Sequence, residues 1–237
     1  MSPDRVVNGP RPEVVARTAG VLGEVVLRHW PAPGRPVHEL IVNGVFLMDT
    51  ADGSTERLLA GTLLARHPDP RRVLVAGLGL GCTLAALLAD SRPRRVDVVE
   101  IEPELVAWCR AGLVPEAGRA LADPRVRVWV ADIQQVLAAS PPNRYDALVL
   151  DVDNGPGFLV HDRNAAVYRC PALAAAARAV RPGGLVLVWS SAPAPELRDN
   201  LATAVGTTEH VVRWVERAGR RLDYHIYLTT VREAPCT

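Results

Sequence analysis

A chain of 237 residues, 49% of them apolar and 22% charged, has the length and hydrophobicity to bury one substantial core, which excludes an intrinsically disordered protein. Its 27 basic and 26 acidic residues leave a formal charge of +1, and the basic clusters, Arg71-Arg72 and Arg92 to Arg95, read as solvated turns, so no nucleic-acid partner is expected. The four cysteines, at 82, 109, 170 and 236, lack metal-ligand spacing, and neither a leader nor a long apolar run occurs, so the expectation is a reduced, cytoplasmic protein with no metal and no membrane partner.

Residues 1–18 carry Pro, Arg and Gly without periodicity and read as a flexible N-terminal tail. Residues 19–66 read as a small β-hairpin element plus a linking helix. Gly23 to Trp30 and His38 to Met48 are rich in strand-forming residues, and Asn43-Gly44 is a two-residue hairpin turn. Leu58, Leu59, Leu63 and Leu64 then recur at helical spacing between Glu56 and Arg66, before Pro68 and Pro70 close the segment.

Over residues 67–237 strand and helix alternate: strand 73–77, helix 82–90, strand 95–100, helix 103–113, strand 126–130, helix 133–139, strand 146–151, helix 164–180, strand 184–189 and a helix around 195–205. Two apolar runs, 211–215 and 224–231, read as a closing antiparallel pair separated by Gly219 to Asp223. Such alternation predicts an α/β fold whose sheet is mostly parallel and doubly wound. Ligands bind these sheets at the carboxyl ends of the strands, so Gly77, Glu100, Asp132 and Asp151 should converge on one crevice.

The first of those strands opens into Gly77-Leu78-Gly79-Leu80-Gly81-Cys82. Glycines there let main-chain N–H groups approach a ligand at the positive end of the following helix. Glu100, about twenty residues on at the next strand end, suits a pair of ribose hydroxyls. Both a dinucleotide site and an adenosyl pocket fit this pairing. The alternating glycines and the scarcity of groups for a pyrophosphate favour the adenosyl pocket.

Asp132 follows a strand and suits either the exocyclic amine of an adenine or a helix N-cap. Asp151 and Asp153 alternate at the end of an apolar strand, which points them to opposite faces if the strand persists and sends only one into the crevice. A carboxylate in such a cleft can take a proton from an incoming amine, although a hydrogen-bonded turn explains the same residues. His161, Asp162, Asn164 and Tyr168 lie close enough in sequence to form a lid or substrate wall. His38 and His225 read as structural, and the five tryptophans as core or interface.

With these residues in hand, the chain from about Glu24 to Ser191 resembles the polyamine aminopropyltransferases, the spermidine and spermine synthase family. The resemblance rests on the hairpin ending at Met48, the Gly77 to Gly81 loop, Glu100-Ile101-Glu102, Asp123-Pro-Arg-Val-Arg-Val128, Asp132, Tyr145 to Asp151, Gly155-Pro156, Val167-Tyr168 and Arg181-Pro-Gly-Gly184. It implies a small N-terminal β-domain joined to a methyltransferase-like Rossmann domain, and a homodimer. It also implies that Glu100 binds ribose and Asp132 adenine, with S-adenosyl-L-methionine or its decarboxylated form as cosubstrate. Leu78, Ile101 and Ile133 complete the expected cosubstrate contacts, and Asp151 takes the place of the proton-accepting aspartate, with Tyr168 as its catalytic neighbour.

The departures bear on the substrate. Leu80 stands where the family's glycine loop carries an aspartate for the amine of the transferred chain, and Ser54-Thr55-Glu56 stands where the family has Tyr-His-Glu. Glu56, Leu80, Asp153 and Asn154 are thus the expected substrate contacts, and spermidine is not the expected product. A carboxylate at position 80 would repel the carboxyl of intact adenosylmethionine by on the order of a kcal/mol, so its absence favours the intact cosubstrate. The expected partner is a small-molecule acceptor or adenosylmethionine itself. The expected chemistry is methyl transfer, aminopropyl-type transfer or cyclisation of the cosubstrate with release of methylthioadenosine, with a non-catalytic adenosyl-binding protein as the alternative.

Overall fold

The computed structural model describes residues 11–31, 36–217 and 220–233. Four antiparallel strands come first: β1 (Glu13–Gly20), β2 (Gly23–Trp30), β3 (Val37–Val42) and β4 (Val45–Asp49), in that spatial order. Asn43 (φ 52°) and Gly44 (φ 75°) are both left-handed, as the turn between β3 and β4 demands. Residues 1–10 of the expected tail lie outside the described residues, but Glu13–Gly20 is not tail: it pairs with β2 from Glu13↔His29 to Gly20↔Gly23. Its burial is too irregular to leave a clean alternation in sequence, and the pairing partner supplies the order that local pattern does not.

After α1 (Ser54–Arg66), seven strands form the second sheet: β5 (Arg72–Ala76), β6 (Arg95–Glu100), β7 (Val126–Val130), β8 (Tyr145–Leu150), β9 (Val180–Ser190), β10 (Gly206–Arg217) and β11 (Arg220–Val231). Their order is β10-β11-β9-β8-β5-β6-β7, parallel from β9 to β7 and antiparallel where β11 joins β9 and β10. The fold is therefore the expected mixed α/β architecture, with a separate antiparallel sheet at its N-terminal end. The helices are α2 (Cys82–Leu88), α3 (Pro103–Arg110), α4 (Pro115–Leu121), α5 (Ile133–Ala139), α6 (Cys170–Ala179) and α7 (Pro195–Ala204). The strands β5 and β8 are apolar almost throughout because both sheet faces are covered.

Several elements differ from the periodicity. The closing strands run longer than expected, Gly206–Arg217 and Arg220–Val231, so residues 220–223 belong to β11 and not to a separator. The expected helix 103–113 stops at Arg110, ahead of left-handed Gly112 (φ 82°), and a second helix, α4, restarts at Pro115. The expected helix 164–180 divides into a 3-10 segment, Asp162–Tyr168, and α6, whose first turn holds Pro171. The expected strand 184–189 begins earlier, at Val180, with a register shift against β8.

The chain leaves β5 towards β6 on one side, whereas it leaves the neighbouring strand β8 towards β9 on the other, which creates the topological switch point between their carboxyl ends. There Gly77 donates its N–H to the Val99 carbonyl at 2.8 Å, and the Asp151 N–H donates to the Ala76 carbonyl at 2.9 Å. Gly77 has φ 92°, and a Cβ on it would collide with the Asp151 carbonyl, so only glycine lets these strand ends close up.

Candidate active site

A cavity of about 460 Å³ lies between the N-terminal sheet and the carboxyl ends of β5, β6, β7 and β8. Gly77, Gly79, Glu100, Ile101, Asp132, Ile133, Asp151, Asp153 and Glu56 line it. With Glu102, the wall carries six carboxylates, and Arg163 is the lysine or arginine on it among the described residues. A ligand with net positive charge suits such a wall.

Glu100 is buried, and its orientation is set before any ligand arrives: one oxygen accepts the Leu78 N–H at 2.8 Å and the other the Glu102 N–H at 2.9 Å. Each oxygen retains an acceptor site, which is the arrangement two adjacent hydroxyls require. Burial pushes its carboxyl above the usual range, while these backbone donors oppose the shift. Asp132 is the N-cap of α5, accepting the Gln134 N–H at 2.8 Å, and it also lines the cavity, so the cap and a ligand contact are compatible.

The opposite end holds Asp151. Its Oδ2 accepts the Thr83 hydroxyl at 2.6 Å, and its pKa is raised to about 7 by burial first and by the charge of Glu56 second, with the Thr83 hydrogen bond pulling the other way. Glu56 is itself buried and raised by desolvation, with the Thr55 hydroxyl donating to it at 2.8 Å. Asp151 set this way can exchange a proton near neutral pH. Asp153 does not point away from the cavity: β8 ends at Leu150 and Asp153 adopts a left-handed φ of 55°, so both aspartates line the wall. Asp153 is also held in place, accepting the Val160 N–H at 3.2 Å and the Asn164 amide at 2.5 Å.

Several other expected contacts fall elsewhere. Leu80 is fully buried in the core and Leu78 nearly so, which places both side chains among hydrophobic neighbours and off the cavity wall. Only the Leu78 N–H faces the site, through Glu100. Gly81, the N-cap of α2, packs against Ala117. Tyr168 is buried and donates its hydroxyl to the Val152 carbonyl at 2.6 Å, so it holds the turn after β8 and does not line the cavity itself. Burial also lifts its phenol well above the ordinary value, which keeps it neutral. Asn154 bonds the Phe46 carbonyl at 3.2 Å and lines a neighbouring chamber. His161 caps the 3-10 segment, and His225 pairs with His210 at 2.9 Å.

Sequence reasoning missed the roof. Val21 and Leu22, in the turn between β1 and β2, line the cavity, and both donate backbone N–H groups to Glu102, at 2.7 and 2.9 Å. Asn43 adds bonds to the Leu22 carbonyl at 2.7 Å and the Val160 carbonyl at 3.2 Å. Met48 drops its sulfur onto the glycine loop, 3.3 Å from the Leu80 N, where a Cβ on Gly79 would strike it. Trp189 lines both chambers, and its buried indole N–H has no acceptor among the described residues, an omission that costs about 1–3 kcal/mol. A sequence signal existed only for Glu102, two residues past the strand end at Glu100. Among the described residues no group of three or more His, Cys, Asp or Glu is placed to hold a metal, and no helix is long and apolar enough to cross a membrane.

The chain is 32% identical over 154 residues to polyamine aminopropyltransferase 2 of Pseudomonas aeruginosa, a match covering 63% of this chain and 42% of that protein. It is also 32% identical over 125 residues to putrescine N-methyltransferase 3 of Nicotiana tabacum, covering 52% and 31%. The matched region spans less than half the length of either relative, and the names are those of two different group transfers to amines. The fold is shared with spermidine synthase from Thermotoga maritima, with a TM-score of 0.77 and 16% identity over 92% of this chain and 72% of that one. Residues 53–213 match the spermine/spermidine synthase domain, and the chain belongs to that family.

Proposed function

We propose that the protein is an S-adenosylmethionine-dependent alkyl transferase that moves a methyl or an aminopropyl-type chain from the sulfonium to the nitrogen of a small-molecule amine other than putrescine. The carrying observation is Asp151, raised to about 7 beside Glu56, at the far end of a cavity whose other end presents Glu100 and Asp132. The cosubstrate supplies a carbon already attached to a good leaving group. Glu100 would hold the ribose hydroxyls, Asp132 the adenine amine, and the acid-rich wall would favour the cation. Asp151 receives the proton that the acceptor nitrogen loses as the new carbon–nitrogen bond forms and the carbon–sulfur bond breaks, its electron pair staying on sulfur. Holding the two reactants in one water-poor cleft supplies much of the rest of the acceleration.

Leu80 supports the use of intact adenosylmethionine. Because its side chain turns into the core, the glycine loop brings no carboxylate near the amino-acid end of the cosubstrate. The acting unit is proposed to be a homodimer with small-molecule partners only. Its support on this chain is β10, an outer strand with exposed Val212 and Trp214.

The test is to incubate purified protein with adenosylmethionine and an amine library and identify the nucleoside by mass spectrometry. Adenosylhomocysteine signifies methyl transfer, and methylthioadenosine with an alkylated amine signifies transfer of the longer chain. Methylthioadenosine without an alkylated amine signifies cyclisation. Intact cosubstrate under every condition sinks the proposal.

A further inference from the structure

A second chamber, of about 380 Å³, adjoins the first along a wall shared by Leu47, Met48, Glu56 and Trp189. Only 5% of the chain is aromatic, and it contains two phenylalanines. Both of them, Phe46 and Phe158, line this chamber, together with Trp189 and Tyr224, whose rings stack at 5.4 Å between centroids. A chain so poor in aromatic rings that gathers four of them around one space has built a surface for a flat or bulky apolar group.

Charge is arranged to match. Glu56 stands on the shared wall, at the end of the chamber that leads to Asp151, whose pKa it raises. Two further acids line the chamber, but both are engaged by the turn before α1. Asp49 accepts the backbone N–H groups of Ala51 and Asp52 at 3.0 and 3.2 Å, and Asp52 accepts that of Ser54 at 2.9 Å. Glu56 is thus the carboxylate that lines both chambers, and the four rings line the second one with it. An amine with a single cationic head is met by Glu56, and the rings add favourable faces for the cation and for an apolar carrier, which a linear diamine lacks.

We infer that the acceptor is a primary monoamine carried on an aromatic or bulky apolar body, bound in this chamber with its nitrogen at Glu56. The inference rests on the transferase reading above, and goes beyond it by naming the acceptor class. Loss of the acceptor proton to Asp151 leaves the body of the molecule against Trp189, Tyr224 and Phe158.

The experiment compares 2-phenylethylamine with putrescine as acceptors for the intact protein and adenosylmethionine, and measures the thermal shift each amine produces in the presence of adenosylhomocysteine. The expected result is a kcat/KM for 2-phenylethylamine at least about tenfold above that for putrescine, and a larger thermal shift. Phe158 is 59% exposed and lines only the second chamber, so Phe158→Ala should fold normally, retain adenosylmethionine binding and lower that preference several-fold. Preference for putrescine overturns the inference and leaves the transferase reading standing. Absence of both turnover and thermal shift with 2-phenylethylamine also overturns it, whether or not adenosylmethionine binds. Loss of adenosylmethionine binding in Glu100→Ala, measured separately by calorimetry, judges the transferase reading alone.

Discussion

At the scale of single residues, Asp151 as the proposed base should govern both rate and stability through one titration. Only its ionised form accepts a proton, so turnover should climb with pH along a one-proton limb centred near 7. Its neighbours act in opposite senses. Removing the Glu56 charge in Glu56→Gln should move that midpoint to lower pH, and removing the hydroxyl donor in Thr83→Val should move it higher, as pH–rate profiles would read directly. Asp151→Asn should cut kcat by roughly 10²–10⁴-fold while leaving cosubstrate affinity near its original value. The same raised pKa has a sign for folding. A carboxyl whose folded pKa lies above its unfolded value of 3.8 contributes stability at low pH that is lost as pH rises through about 7. Asp151→Asn should therefore stabilise the protein increasingly between pH 4 and 8, by roughly 3–4 kcal/mol at the alkaline end, as denaturant titrations at several pH values would show. A stability difference independent of pH would reject the assignment.

At the scale of elements, the site depends on how the N-terminal sheet is fastened over the strand ends. Glu102 begins the turn into α3, and its carboxylate is the clamp for the β1–β2 turn. Gly20 leaves the room that clamp needs, since a Cβ there would strike the Glu102 carboxylate. Glu102→Ala should cost roughly 2–4 kcal/mol, because two part-buried or buried N–H groups lose a charged acceptor. Urea unfolding gives the size, and faster amide exchange at Val21 and Leu22 would locate it; protection unchanged at both would refute the clamp. The acid-terminated strand was legible because Glu100 follows an apolar run at the expected interval from the glycines. Glu102 was legible as a motif residue but not as a clamp, since its partners lie 81 and 80 positions away.

At the scale of the whole molecule, the two sheets share a core. Val25, Leu27, Leu40 and Val42 of the first pack with Leu59, Leu63 and Leu84, so residues 53–237 without the N-terminal sheet would expose that surface. Such a fragment should aggregate or fold poorly, and should give no thermal shift with adenosylmethionine, whereas the full chain at about 100-fold excess over Kd should gain roughly 2.7 kcal/mol. A monomeric, ligand-binding fragment would show that the roof is dispensable. Sedimentation of the full chain would decide the proposed homodimer, with a single species of 25.6 kDa counting against it.

The sequence by itself determined the alternation of strand and helix, the parallel sheet and the convergence of Gly77, Glu100, Asp132 and Asp151, because each rests on local pattern and on the rule that strand ends meet at the switch point. Tertiary structure alone decided the directions of the side chains. Leu80 lies inside the glycine loop yet belongs to the core, Tyr168 braces a turn, and Asp153 turns inward because its backbone leaves the strand. It also decided the roof and the aromatic chamber, which bring together residues from opposite ends of the chain, such as Phe46 and Tyr224. Periodicity reports which face of an element is buried; it carries no information about which distant element supplies the opposing wall.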